Sequence, residues 1–103
     1  MSDRLNQLKT MYEADPTDPF VPYGIALEYA KAEAFETALE WLDKTLKLDK
    51  HYCYAYFQKG KMFSELGEEE DAKKVLELGV KMAVEAGDQH AASEINDLLE
   101  MMD

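Results

Sequence analysis

The sequence predicts an all-helical fold of about six helices, and three observations carry that expectation. Apolar residues recur with a period near 3.6 along most of the chain. No stretch keeps the two-residue alternation of a half-buried strand. At an offset of 34 residues the chain partly repeats itself, aligning 19–52 with 53–86.

Leu5, Leu8, Met11 and Tyr12 lie at helical spacing, with Asp3 as the candidate cap and Pro16 and Pro19 closing a short first helix. Val21 to Ala32 forms the second. Tyr23, Leu27 and Ala30 lie near one face and Ile25, Ala26 and Tyr29 near another, so this helix is expected to sit between neighbours. From Phe35 to Leu48 the set Ala38, Leu39, Trp41, Leu42, Thr45, Leu46 and Leu48 defines the third. A phase change in the apolar pattern at Lys50 to Cys53 marks a connection.

Tyr54 to Leu66 reads as a fourth helix ended by Gly67, which takes the left-handed conformation without a side-chain clash. Glu68, Glu69, Glu70 and Asp71 then open the fifth, where the helix dipole favours carboxylates. Gly79 inside that helix costs about 1 kcal/mol relative to alanine, which points to close contact with another backbone. The fifth helix stops near Gly87. Asp88 caps a sixth carrying Ala91, Ile95, Leu98, Leu99 and Met102.

A chain of 103 residues has room for one modest core, which excludes multidomain enzyme architectures and gives a single domain over 1–103. Asp and Glu number 22 against 11 Lys and Arg, for a formal charge of −11. Residues 87–103 hold five carboxylates and no Lys or Arg. Such a field repels nucleic-acid phosphates and anionic membranes, so neither is an expected partner. Cys53 stands alone and cannot form an intramolecular disulfide; no window approaches the roughly 18 apolar residues of a membrane span. The expected location is the cytoplasm.

Within the repeat, Glu36 matches Glu70, Ala38 matches Ala72, Leu42 matches Leu76 and Lys47 matches Lys81. Shapes also recur in register: Phe20 with Tyr54, Tyr23 with Phe57, Tyr29 with Phe63, Trp41 with Val75, Leu46 with Val80 and Leu48 with Met82. This order resembles the tetratricopeptide repeat, a 34-residue pair of antiparallel helices. In the second unit Tyr56, Gly60, Phe63, Gly67, Ala72 and Leu76 take the pattern's places. Ala26, Tyr29, Ala38 and Leu42 take them in the first. Departures from the pattern are Pro22 at the leading aromatic, Glu33 at the turn glycine, Lys50 at the closing proline, Lys59 at a leucine and Gly79 at an alanine.

The resemblance implies a short right-handed superhelix of antiparallel helix pairs, with a half unit at 3–16, full repeats at 19–52 and 53–86, and a closing helix at 88–101. Ala26, Gly60, Ala38 and Ala72 are the small residues that let paired helices approach, beside Leu42 and Leu76. By the same resemblance, the first helix of each unit lines a concave surface. Its ligand-facing places fall on Phe20, Tyr23, Leu27, Ala30 and Lys31, then on Tyr54, Phe57, Lys61, Ser64 and Glu65. A noncatalytic protein-interaction module is the implied function, with an extended peptide or amphipathic helix as ligand. The alternative for these side chains is cover by the terminal elements, above all at Leu27 and Phe57.

Some family members hold a terminal carboxylate in a clamp of lysine, arginine and asparagine. The corresponding places here read Tyr23, Leu27, Gln58, Asp88 and Ala92, so a partner with apolar and basic character suits the chain better than an acidic tail. A second reading applies if Ile95, Leu98, Leu99, Met101 and Met102 cannot all face inward: the leftover apolar stripe would then drive weak homo-oligomerisation or docking onto another repeat. Chemistry-bearing groups are sparse. His51 and Cys53 do not share a helical face, and His90 is remote in sequence. The run Glu68 to Asp71 lacks the spacing of a calcium loop, and no GxxxxGK phosphate cradle occurs. The sequence therefore predicts neither enzyme, metal site nor cofactor.

Overall fold

The computed structural model describes residues 2–102; Met1 and Asp103, at the ends of the expected 1–103 domain, lie outside the described residues. The all-helical expectation holds. Six helices follow in order: α1 (Asp3–Ala14), α2 (Phe20–Lys31), α3 (Phe35–Leu48), α4 (Cys53–Glu65), α5 (Glu69–Glu85) and α6 (Gln89–Met101). No strand occurs among the described residues. Contacts divide the chain into two compact units, one up to Asp49 and one from Lys50 onward.

Ser2, rather than Asp3, caps α1: its Oγ accepts the Leu5 amide at 3.1 Å. Asp3 is the first helical residue, where its charge instead meets the positive end of the helix dipole. Similarly, Glu68 is the cap position of α5, leaving Glu69, Glu70 and Asp71 in the first turn. Asp88 does cap α6, accepting the Ala91 amide at 3.0 Å.

In the first unit α2 packs against both α1 and α3. Leu5 and Leu8 from α1 meet Val21 and Ile25 from α2, with Tyr12, Tyr29 and Trp41 packed around them. The Tyr12 and Trp41 rings meet edge to face, 5.2 Å apart at 83°. Ala26, Ala38 and Leu42 are fully buried.

In the second unit α5 lies against α4 and α6, and two glycines set the spacing. A Cβ on Gly60 of α4 would overlap the Leu76 side chain of α5. One on Gly79 of α5 would fall 2.6 Å from Cβ of Tyr56 and 3.4 Å from Ile95 of α6. Gly79 thus serves side chains of both neighbouring helices. Leu76, Ala72 and Ile95 are fully buried there. Outside this core, His51 Nε2 lies 3.1 Å from Glu85 Oε1, joining the segment before α4 to the end of α5.

The turn after α2 and the turn after α4 are built alike. Glu33 N donates to Ala30 O at 2.9 Å and Ala34 N to Tyr29 O at 3.0 Å, while Gly67 N donates to Ser64 O at 3.0 Å and Glu68 N to Phe63 O at 2.8 Å. Both satisfy the last helical carbonyls through one left-handed residue. That residue is Gly67, at φ 78°, in the second unit and Glu33, at φ 59°, in the first. Glu33 therefore holds a backbone conformation that its Cβ disfavours.

Candidate functional site

On α4, Tyr54, Phe57 and Lys61 fall on successive turns. The Tyr54 and Phe57 rings lie edge to face, 6.4 Å apart at 70°, and Lys61 Nζ stands 5.7 Å from the centre of the Phe57 ring. Both rings are half-buried and Lys61 is exposed. Ser64, further along, donates to Glu69 Oε1 at 3.1 Å, and Glu65 is exposed.

The neighbouring α6 engages this row. Tyr54 donates its phenolic hydrogen to Glu94 Oε1 at 2.7 Å, and His90 Nε2 lies 2.6 Å from the same oxygen. The Glu94 contact, aided by burial, pushes the Tyr54 phenol up to about 12, because a neighbouring carboxylate stabilises the neutral form over the phenolate. Beside the pair lies a hollow of about 240 Å³ lined by Phe57, Glu94, Asp97, Leu98 and Met101. The four α6 residues sit at i, i+3, i+4 and i+7, one face of one helix. That spacing is present in the sequence. Neither sequence reading of this helix, as cover for the core or as an apolar stripe for association, draws on Glu94 and Asp97.

The expected residues of α2 lie in the first unit. Phe20 is 46% exposed at the start of the helix; Tyr23, Leu27 and Ala30 are half-buried. Lys31 is exposed, and its ammonium donates to Glu28 Oε2 at 3.0 Å. Glu28 was not anticipated as a structural group. Its side chain is 8% exposed, accepts the Ser2 hydroxyl at 2.8 Å and lies 3.8 Å from Arg4 Nε. The Lys31 hydrogen bond, then that of Ser2, hold the carboxyl below its usual range against the opposing effect of burial. Glu28 thereby ties the amino-terminal end of the chain to α2.

The expected framework positions are placed as follows. Ala26, Ala38, Leu42, Ala72 and Leu76 are fully buried, Gly60 is buried, and Gly67 occupies the left-handed turn. Tyr29 and Phe63 are half-buried, each with a lysine ammonium over its ring: Lys9 at 5.3 Å and Lys59 at 5.9 Å. Among the described residues, no group of three or more His, Cys, Asp or Glu side chains is placed to hold a metal ion. Cys53 is buried, with Sγ 3.2 Å from His51 O. No described helix is long and apolar enough to cross a membrane.

Helical hairpins closed by the same left-handed turn at a 34-residue interval define a helical-repeat protein. No protein-family model matches the sequence, and no curated protein does. Solved structures match it well. The solution structure of a tetratricopeptide repeat domain protein from Salinibacter ruber is 30% identical, with a TM-score of 0.80, over 86% of this chain and 90% of that one. The chain belongs to the tetratricopeptide repeat family. Two further structures share the fold at lower identity. The TPR2B domain of yeast Sti1, solved as a pHsp70 complex, is 21% identical with a TM-score of 0.89, over 95% of this chain and 78% of that one. The first such domain of Spaghetti (RPAP3), bound to the HSP90 peptide SRMEEVD, is 23% identical with a TM-score of 0.74, over 95% of this chain and 76% of that one.

Proposed function

We propose that this protein is a noncatalytic interaction module that captures a peptide or helix through the aromatic and lysine side chains of α2 and α4. The candidate contacts are Phe20, Tyr23, Leu27 and Lys31 within the first unit and, taken separately, Tyr54, Phe57 and Lys61 within the second. The observation that carries this reading is the row on α4. Two rings and a lysine stand on one helix face beside an open hollow, and rings of this kind supply rigid contact area at small entropic cost. The Sti1 and RPAP3 domains, which share the fold, support it by the ligands in their complexes.

An acidic tail such as the HSP90 peptide bound to the RPAP3 domain fits less well. The places that would clamp a terminal carboxylate hold Tyr23, Leu27, Gln58, Asp88 and Ala92, none of them cationic. Affinity capture from the native cell, run beside a Tyr23→Ala/Phe57→Ala double variant, tests the proposal. Partners are expected to be lost from a variant that keeps its helical circular dichroism. Equal capture by both proteins would overturn it, and global unfolding of the variant would assign the two rings to the core.

A second reading, self-association through α6, draws on Met101, which is 80% exposed. Sedimentation across micromolar concentrations tests it, and a monomer throughout would exclude it.

A further inference from the structure

We propose that the hollow between α4 and α6 docks a short amphipathic segment that presents lysine or arginine beside aliphatic side chains. The inference rests on the interaction-module reading and adds the chemical class of the partner. About 240 Å³ lies below the roughly 300–1,000 Å³ of clefts that enclose small molecules, so this hollow suits one or two side chains of a larger ligand. Phe57, Leu98 and Met101 make part of its lining apolar, and Met101 is 80% exposed. Glu94 and Asp97 add carboxylates to the same lining. Tyr54 and His90 both contact Glu94 Oε1, and Asp97 makes no hydrogen bond or ion pair with any described residue.

Charge selects the occupant. The α6 segment carries Glu94, Asp97 and Glu100 without a lysine or arginine, within a stretch holding five carboxylates. A second copy meeting this face across a two-fold axis would set those carboxylates against their own equivalents. An acidic peptide would meet the same three α6 carboxylates, which outnumber the Lys61 ammonium beside Phe57. A basic group reaching Asp97 while an aliphatic side chain covers Leu98 and Met101 satisfies both parts of the surface.

The test is fluorescence anisotropy of the full chain with three labelled synthetic peptides of about twelve residues: an amphipathic Leu/Lys helix, its Leu/Glu counterpart, and a Ser/Lys peptide without the apolar face. The Leu/Lys probe is expected to bind about tenfold or more tightly than either of the others. Asp97→Lys and Met101→Ser should each weaken it about five- to tenfold, while Glu77→Lys, the same charge change at an exposed site on α5, should alter it less than about twofold. Equal binding of the Leu/Glu probe, equal losses at Asp97→Lys and Glu77→Lys, or no binding of any probe would overturn the inference. So would a dimer in sedimentation that Met101→Ser abolishes, because the occupant would then be a second copy. The broader module reading fails separately, when native partners stay bound to the Tyr23→Ala/Phe57→Ala variant.

Discussion

Glu28 is a buried carboxylate where the second unit, 34 residues on, buries Met62, and its burial depends on partners that arrive from two directions. Lys31 lies one turn along α2, whereas Ser2 and Arg4 come from the start of the chain. Because its folded pKa is depressed, the stabilisation is present above the unfolded glutamate value of about 4.3 and is lost as pH falls through the lower folded value. Thermal melts of the wild type and Glu28→Gln should therefore differ most near neutral pH and converge in acid; a gap that stays constant with pH would contradict this. A different residue-scale effect lies at Glu33. Replacing it with glycine relieves a left-handed side-chain clash, partly offset by a looser unfolded chain, for an expected gain of about 0.5–1 kcal/mol in denaturant unfolding. The Glu33 position was legible as a departure from the repeat, because Gly67 stands 34 residues later. Glu28 was not legible, since nothing local in the sequence says that Ser2 will reach it.

At the scale of helices, sequence and structure agree closely: the third helix matches end to end, and the second and fourth begin one residue earlier than expected. Periodicity reports which residues face inward, and end effects move a boundary by a residue without changing that face. Packing distances are harder to read from sequence. Gly79 signalled a close approach, but its partners, Tyr56 and Ile95, are defined only once α4, α5 and α6 meet. Ala72 is fully buried in the same unit, so Ala72→Trp inserts a bulk far beyond the extra methylenes that already cost about 1–3 kcal/mol. Loss of the cooperative melt is the expected result, and retained native stability would contradict it. The α4–α6 tie makes its own prediction. The raised Tyr54 phenol adds stability that is complete below the unfolded tyrosine value of about 10 and is lost as pH rises through about 12. In an absorbance titration at alkaline pH, Glu94→Gln should bring one tyrosine down from that value; an unchanged titration would refute the tie.

Across the whole molecule, four identities between the two aligned stretches gave little by themselves, yet the left-handed turns recur in the backbone at the same interval. The repeat was legible because side-chain shape survives where identity does not. Similar rings occupy Tyr29 and Phe63, and small residues occupy Ala26 and Gly60. Of the candidate site, the row of Tyr54, Phe57 and Lys61 was readable through the family register. Its α6 wall was not, because an amphipathic closing helix looks the same in sequence whether its second face meets solvent or borders a groove. The Tyr12–Trp41 contact has a practical consequence. Trp41 is the single tryptophan, and it lies in the unit that ends at Asp49, so its emission registers melting of that half alone. Ellipticity averages over all six helices; superimposable curves from the two signals would identify one cooperative transition, and separated curves would resolve two.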